Sequence, residues 1–427
     1  MVSGAPAAAP TRLGPEFAKL FTANLTSSLG DGIAKIAAPL LAVQLTTDPV
    51  LISGIAALSM LPWLLFAIPA GILIDRVDRR VALAAANSVR AILALGLLVL
   101  VATSSLTIAW LYVLIFLYGV GETIYDGSVR AVVPSIVTKP LLPRANSRIE
   151  AGELIVQNFL SGPFTSLLFA VSVLIPLGTN VAAFAVAAGL ALALPRAASG
   201  RQYAASGPSA LPWYRQFADG YRFIWGNRML VTLWFLSSFV GLCFTAATAT
   251  WVLFVVDHLG LDEALFGVFM LTGAAGGLVG SALAQPLKER LGAGRAMGLA
   301  TIVASLSLVL PGLVPQLWAA AVSGFVSAMA LLVWNILVMS LRQSIIPGRL
   351  LGRVHGSWRT LLWGIMPLGA VLGGLLARID ITLPLVAGGA AATVAGVVFF
   401  RFLSRLPNPE DVDNGDEAGP TDPLVQS

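Results

Sequence analysis

Cysteine, histidine and charged residues are all scarce in this sequence of 427 residues. The single cysteine, Cys243, excludes a disulfide framework, and two histidines, His258 and His355, cannot form a histidine-rich metal centre. Charged residues make up only 11% of the chain, whereas soluble domains carry about a quarter. The chain also lacks a His/Asp/Glu metal spacing, a Gly-x-Ser-x-Gly motif and a phosphate-cradling lysine loop. These absences argue against a soluble protein and against a membrane-embedded enzyme.

Long apolar stretches are what the sequence has in abundance. Hydrophobic residues make up 57% of it, and its mean hydropathy is +0.86. About a dozen stretches, each of about 20 residues, are long enough to cross the hydrocarbon core of a bilayer as helices. The sequence therefore predicts an all-α polytopic membrane protein with twelve transmembrane helices. The predicted spans are 17–45, 50–74, 81–103, 107–130, 149–171, 175–194, 229–256, 263–287, 295–314, 317–345, 352–377 and 381–403.

Basic residues fall in alternate gaps between these stretches. Arg76, Arg79 and Arg80 lie together in one gap, whereas the opposite gaps around Thr46 and Ser104 hold no basic residue. Because cytoplasmic loops are enriched in Lys and Arg, the bias predicts that both termini and the middle loop are cytoplasmic. The net charge of +5 thus marks loops and gives no reason to expect nucleic acid as a partner.

The pattern divides the chain into five regions. A cytoplasmic tail, 1–16, lacks a signal-peptide core and precedes a six-helix bundle, 17–194. The linker 195–228 ends in an aromatic and basic amphipathic stretch, for which we expect a helix along the inner membrane surface, with a plain linker as the alternative. A second six-helix bundle, 229–404, follows, and the acidic, polar tail 405–427 is predicted to be disordered.

Ionisable residues inside the predicted spans are candidates for function, because each is costly there unless it is paired or hydrated. Asp31 and Glu122, two acids near mid-membrane, are the candidates for a carboxylate that takes up and releases a proton. The alternative is that the charged residues form ion pairs that hold the helices together, an interpretation we favour for Lys35 and Arg130. The same charge network also includes Arg90, Asp126 and Arg359.

The second half of the chain is poorer in such charges and richer in aromatic residues, so ion coupling is expected in the first half. Aromatic residues at helical spacing serve packing more often than they bind ligands. They nevertheless provide the candidates for a substrate-lining surface. These candidates are Trp234, Phe239, Phe244, Trp251, Trp334, Asn335, Trp358 and Trp363.

The gap between the second and third spans reads PAGILIDRVDRR. This segment resembles the signature loop of the major facilitator superfamily, a Gly-x-Leu-(small)-Asp-Arg-x-Gly-Arg-(basic) pattern. Asp78 stands where that family usually has Gly. The residues that match are Gly71, Leu73, Asp75, Arg76, Arg79 and Arg80.

The resemblance implies that this loop is a gate lock that holds one conformation and breaks during transport. We expect Gly71 to let two helices approach closely and Asp75 to accept hydrogen bonds at a helix N-terminus. Arg79 would pair with Asp126 on a neighbouring helix. The alternative is that the arginines only orient the chain in the membrane.

Corresponding segments of the two halves extend the resemblance. PLKERLGAGR resembles a decayed copy of the signature loop, and RAVVPSIVTKPLLPRANS has a counterpart in RQSIIPGRLLGRVHGSW. With Asp31-Gly32, these segments resemble the branch of bacterial macrolide exporters and the enterobactin exporter. Gly162 and Pro163 match a fifth-helix signature of proton antiporters, but Ser166 and Leu167 replace its glycine pair. The resemblance implies two six-helix bundles around a central cavity and transport by alternating access.

The sequence therefore predicts a transporter that exports a lipophilic or amphipathic compound, drug-like or siderophore-like, in exchange for protons. A proton symporter for uptake of a small metabolite and a lipid or lysolipid flippase remain alternatives, as does a scaffold or receptor that transports nothing. We expect no cofactor, with the proton gradient as energy source. The expected partners are a small-molecule substrate and the lipid bilayer, for a monomer in a bacterial inner membrane.

Overall fold

The described fold is entirely helical. The structure is a computed structural model, and it describes residues 13–138, 141–199 and 213–412. Within these ranges there is no strand, and ten helical segments are long and apolar enough to cross a membrane. The predicted all-α membrane fold is confirmed. The α-helices are α1 Gly14–Leu45, α2 Pro49–Arg76, α3 Arg79–Ala102, α4 Ile108–Ile136, α5 Leu142–Leu154, α6 Ser161–Val171, α7 Leu174–Leu192, α8 Trp213–Gly226, α9 Arg228–Thr248, α10 Glu263–Phe269, α11 Leu271–Leu291, α12 Ala293–Leu313, α13 Leu317–Ile345, α14 Gly348–Ile379, α15 Leu383–Val398 and α16 Phe400–Leu403.

A helix forms at each of the twelve predicted spans, but two of these helices are not among the ten candidate spans of the described residues. The 32-residue helix α1 contains Asp31 and Lys35, and its polar residues lower its mean hydropathy. Helix α15 is apolar but has only 16 residues. The remaining ten predicted spans coincide with candidate spans.

The fifth span differs from a regular helix where its signature lies. The helix begins at Leu142 and passes through a π-helical turn, Ile155–Leu160, before α6. The Ser161 N–H bonds to the carbonyl of Val156, five residues back, and the Ser161 hydroxyl donates to the same oxygen at 2.7 Å. Pro163 has no N–H to continue the regular ladder, so the bulge lies where the proline would interrupt the helix.

One compact unit comprises the described residues within 1–42, 65–208 and 263–267. Its core contains Phe17, Leu20, Leu83 and Val132 among other apolar side chains. Close backbone approach occurs at Gly162, whose Cβ position would lie 2.9 Å from the carbonyl oxygen of Gly267. Small residues of this kind allow helices to pack closely.

A second compact unit comprises the described residues within 43–64, 209–262 and 268–412. The N-terminal part of α2 belongs to it because Asp48 accepts a hydrogen bond from Arg378 Nε at 2.9 Å and the rings of Trp63 and Trp363 lie 5.9 Å apart. The N-terminal part of α2 is therefore grouped with the second half of the chain, although it lies in the first half of the sequence. The predicted bundle boundaries, 17–194 and 229–404, stay predictions.

The linker contains the predicted helix. The stretch WYRQFADGYRFIWG forms α8, and Ile224 at its end is buried in the core of the second unit. Residues 200–212 lie outside the described part of the chain, and so do the side chains of 213–217. The position of α8 along the inner membrane surface stays a prediction.

The C-terminal tail begins as a packed segment. Leu406 is buried in the core of the second unit, the Asn408 side chain accepts a hydrogen bond from the Ala293 N–H at 2.8 Å, and Lys288 lies 2.9 Å from Glu410. The expected disorder from residue 405 does not hold for residues 405–412. Leu406 packs in the core of the second unit, and Asn408 accepts a hydrogen bond at the start of α12. The tails 1–12 and 413–427 lie outside the described residues.

Candidate functional site

Asp31 and Arg90 form a buried ion pair in the first unit. Arg90 Nη1 lies 2.7 Å from Asp31 Oδ1, and the two residues are 0% and 3% exposed. A charge buried in this way costs several kcal/mol unless a partner of opposite sign and further hydrogen bonds compensate it. The pair joins α1 to α3, so its state of ionisation bears directly on how these two helices are held.

Polar and aromatic groups surround the arginine. Its Nη2 donates to Ser27 Oγ at 2.8 Å and to Asn87 Oδ1 at 2.5 Å. The guanidinium also lies 4.6 Å from the ring centroids of Tyr125 and Phe184, within the range of cation–π attraction. Two buried donors, Arg90 Nε and Asn87 Nδ2, have no hydrogen-bond partner within the described structure. The network therefore retains donor capacity for a further acceptor.

Tyr118 and two glycines lie close to the ion pair of Asp31 and Arg90. The Tyr118 hydroxyl donates to Asp31 Oδ1 at 2.9 Å. The Cβ position of Gly121 would lie 2.9 Å from Arg90 Cγ, so this glycine makes room for the arginine stem. On α1, the Cβ position of Gly30 would meet the ring of Phe184 at 2.5 Å. Substitution of these glycines would push directly on the groups that hold the ion pair.

Glu122 and Asp126 lie one helical turn apart on α4. Both are only partly buried, and in the described structure neither forms a hydrogen bond or a salt bridge. Glu122 interacts electrostatically with Asp31, Lys35 and Arg90. Arg130, one turn further along α4, is exposed. The structure thus gathers Asp31, Arg90 and Glu122 around one centre.

Within the described residues, Lys35 forms no salt bridge with an acid. Its Nζ donates to Gln157 Oε1 at 2.7 Å, in the π-helical turn after α5. On the preceding turn, Glu153 Oε1 accepts a hydrogen bond from Asn24 Nδ2 at 2.9 Å. Sequence reasoning did not select Asn24 or Glu153, although Glu153 lies at the start of a predicted span and could have been found as an acid at membrane depth.

The signature loop is organised by the residue that departs from the family pattern. Asp78 caps the N-terminus of α3 by accepting from the Arg80 N–H at 3.0 Å, and its carboxylate lies 2.8 Å from Arg80 Nη2. This hydrogen bond from the Arg80 guanidinium lowers the pKa of Asp78. Arg80 also donates to the carbonyl of Leu194 at 3.1 Å, which connects the loop to the segment after α7.

Two expectations for this loop are corrected, and the one for Asp75 stays a prediction. Asp78 caps the N-terminus of α3, and the structure describes only the backbone of Asp75, in the last turn of α2. At Gly71 no described atom lies within 4 Å of the Cβ position, so the expected close helix approach is not found among the described residues. Arg79 donates to the Ala131 carbonyl at 2.8 Å and forms no salt bridge with Asp126 in the described residues. Arg76 is exposed.

The aromatic candidates of the second unit lie in different environments. Trp358 is 2% exposed, within the core, and the Arg342 guanidinium lies 4.1 Å from its ring centroid. Arg359 lies 5.4 Å from the ring of Trp63 and 5.5 Å from that of Trp363. Trp234, Phe244 and Trp334 are partly buried against the same core, Trp251 is partly buried beside Phe254, and Phe239 and Asn335 are exposed. A role of these residues in lining a substrate path stays a prediction.

Comparison with known proteins identifies the family. Residues 5–427 match the family MFS_3, transmembrane secretion effector. The chain belongs to this family. It is therefore a multi-pass membrane transporter of the major facilitator type, and the predicted superfamily is confirmed. The multidrug efflux pump Tap of Mycobacterium tuberculosis (strain ATCC 25618 / H37Rv) is 27% identical to it over 382 residues, which are 85% of this chain and 87% of that protein.

Solved structures show the same fold. The nucleoside transporter NupG matches with a TM-score of 0.71 at 13% identity, over 92% of this chain and 100% of that one. A bacterial homologue of the iron transporter ferroportin, in its inward-facing state, matches with a TM-score of 0.71 at 17% identity, over 91% of this chain and 98% of that one. At such identities the likeness establishes the fold alone.

Proposed function

We propose that this protein exports lipophilic or amphipathic small molecules from a bacterial cell in exchange for protons, by alternating access in the inner membrane. The observation that carries the proposal is the buried ion pair of Asp31 and Arg90, with the unpaired carboxylate of Glu122 in electrostatic contact with both. A carboxylate at membrane depth that can change its charge is what proton coupling requires.

The chemistry follows from one arginine and two acids. With Asp31 ionised, Arg90 joins α1 to α3. A proton on Asp31 removes the counter-ion of a guanidinium that has no exposed surface, so the buried positive charge then requires another acceptor. Glu122 on α4 is the acid that can supply it, because it already interacts electrostatically with Arg90. Protonation of Asp31 would thereby replace an ion pair between α1 and α3 with an ion pair between α3 and α4.

Such an exchange gives the proton a differential effect on two arrangements of the helices. A ligand shifts a conformational equilibrium only by the difference in its affinity for the two states. The proton meets this condition when Asp31 is paired in one state and neutral in the other. Tyr118, which donates to Asp31, can keep its hydrogen bond to the neutral acid and so limits the cost of protonation.

The proposed substrate class rests on the relative and on the aromatic surface of the second unit. The relative at 27% identity is described as a multidrug efflux pump. Trp63 and Trp363 form a partly buried aromatic pair, and the Arg359 guanidinium lies beside both rings. Planar aromatic faces of this kind suit apolar ring systems of many shapes. We propose a monomer that needs no cofactor, takes its energy from the proton gradient and has both termini in the cytoplasm.

The test is transport by the purified protein in liposomes with an imposed pH gradient. Movement of a lipophilic dye such as ethidium, of a macrolide and of a siderophore would be followed in the wild type, in Asp31→Asn and in Glu122→Gln. The exposed Glu150 on α5 provides the matched control, Glu150→Gln. We expect gradient-driven extrusion in the wild type and the control, and its loss in the two variants of the centre.

Two other outcomes would replace this proposal. Accumulation of a small metabolite together with protons would make the protein a symporter for uptake. Movement of lipid or lysolipid at a rate indifferent to the pH gradient would make it a flippase on the same scaffold. Undiminished proton-driven extrusion by both variants would remove Asp31 and Glu122 from the mechanism.

A further inference from the structure

Glu153 ends a buried line of polar contacts that begins at the ion pair. Its Oε1 accepts a hydrogen bond from Asn24 Nδ2 at 2.9 Å, and Asn24 is 1% exposed. Asn24 precedes Asp31 by seven residues on α1, which is about 10 Å along a helix. Glu153 is thus held about two turns from the ion pair, toward the N-terminus of α1.

Tyr125 joins the two ends of this line. Its hydroxyl donates to Asn24 Oδ1 at 3.3 Å, and its ring centroid lies 4.6 Å from the Arg90 guanidinium. Tyr125 is 2% exposed. The contacts therefore run without a break from Asp31 through Arg90, Tyr125 and Asn24 to Glu153. Because these residues are largely buried, a change of charge at Asp31 alters the electrostatic potential at Glu153 more strongly than it would in water.

Several charged groups face Glu153 from the helices around it. Arg130 on α4, Asp31 on α1 and Glu150 on its own helix interact with it electrostatically, and Asp126 on α4 does so as well. The only cation among these is Arg130, which is exposed and forms no salt bridge with Glu153 within the described structure. Glu153 itself is partly exposed, while its hydrogen-bond partner Asn24 lies inside the bundle.

We propose that the Glu153 carboxylate exchanges protons between the Asp31 centre and the cytoplasm, an assignment that rests on the proton coupling proposed above. In the export cycle the carboxylate takes a proton released by the acids of the centre and becomes a neutral carboxylic acid. It then gives that proton to cytoplasmic water and returns to the anion. Only O–H bonds form and break, and the net result is one proton moved from the centre to the cytoplasm.

The side of the membrane follows from the predicted orientation. The N-terminus of α1 is expected in the cytoplasm, because the basic residues of alternate loops mark that side. Glu153 precedes the π-helical turn on α5 and lies close to Arg144 and Arg148 in sequence, two of the residues that mark the cytoplasmic gap. The partly exposed acid therefore lies at the end of the line that opens toward the cytoplasm.

The variant Glu153→Gln distinguishes a role of Glu153 in proton exchange from a purely structural role. A glutamine Oε1 accepts the hydrogen bond from Asn24 as the carboxylate does, but it cannot take up a proton. Glu150→Gln, an exposed acid three residues earlier on the same helix, is the matched control. Purified proteins would be reconstituted in liposomes with a trapped pH-sensitive dye, and ethidium would be the transported probe. Ethidium-dependent proton flux and gradient-free exchange of ethidium across the membrane would both be measured.

We expect Glu153→Gln to lower the ethidium-dependent proton flux by about a hundredfold or more, because positioned proton-transfer groups contribute about 10²–10⁴-fold. Gradient-free exchange should persist, and Glu150→Gln should match the wild type in both measurements. Equal loss of flux and exchange would indicate a structural role and overturn the assignment. Unchanged flux in Glu153→Gln, with a coupled wild type, would overturn the assignment while the proposed function stands. Absence of proton flux in the wild type would overturn both.

Discussion

Arg90 and Asp31 form the most deeply buried ion pair of the described residues, with Nη1 and Oδ1 2.7 Å apart. We expect either single substitution, Asp31→Asn or Arg90→Met, to lower the free energy of unfolding by about 3–5 kcal/mol, because each leaves one buried charge or its polar shell uncompensated. The double variant should lose less than the sum of the two. Thermal unfolding in detergent of all four proteins measures this coupling, and strict additivity would mean that the pair contributes no interaction energy.

Gly121 is predicted to be intolerant of a side chain. The Cβ atom of Gly121→Ala would lie 2.9 Å from Arg90 Cγ, so the arginine stem would have to move and its hydrogen bonds to lengthen. We expect reduced proton-driven transport with little loss of expression. Gly96 on α3, where no described atom lies within 4 Å of the Cβ position, provides the control. Gly96→Ala should leave transport unchanged, and equal effects of the two substitutions would contradict the packing argument.

Asn408 is predicted to stabilise the start of α12. In Asn408→Ala the Ala293 N–H, on a residue with 0% exposure, loses its acceptor. A buried donor left unsatisfied costs about 1–3 kcal/mol. The melting temperature should therefore fall. Glu410→Gln breaks only an exposed contact with Lys288 and should have a small effect that disappears at high salt. A larger effect of Glu410→Gln than of Asn408→Ala would contradict this account.

Asp78 is predicted to make stability depend on pH in the acid range. The hydrogen bond from Arg80 lowers its pKa in the folded state from the ordinary value of 3.8. A carboxyl group with a lowered pKa in the folded state contributes stability above its ordinary pKa, and that contribution is lost as the pH falls through the folded value. Asp78→Asn can still cap α3 but does not titrate. The melting temperatures of wild type and variant should therefore converge below about pH 3.8, and a constant difference would exclude Asp78 as the cause.

Several features of the site were predictable from particular residues, and others were not. Asp31, Arg90 and Glu122 stood out because ionisable groups are rare in apolar spans. Their pairing was not readable, since Asp31 is four residues from Lys35 and that spacing favours a local contact. In the structure Asp31 instead forms a salt bridge with Arg90 on α3, and Lys35 donates a hydrogen bond to Gln157. Glu153 and Asn24 escaped notice because their importance lies in a hydrogen bond between residues 129 apart in the chain.

The sequence by itself determined the helical membrane fold, the superfamily and the set of charged residues within apolar spans. The fold and the charges follow from the length and composition of the apolar stretches, and the superfamily follows from the signature loop, all of which are local properties of one chain. Only the tertiary structure decided that Asp31 pairs with Arg90, that Lys35 bonds to Gln157, and that the tail from Leu406 packs against the start of α12. Such contacts depend on the packing of helices distant in sequence, where a shift of one residue changes every partner.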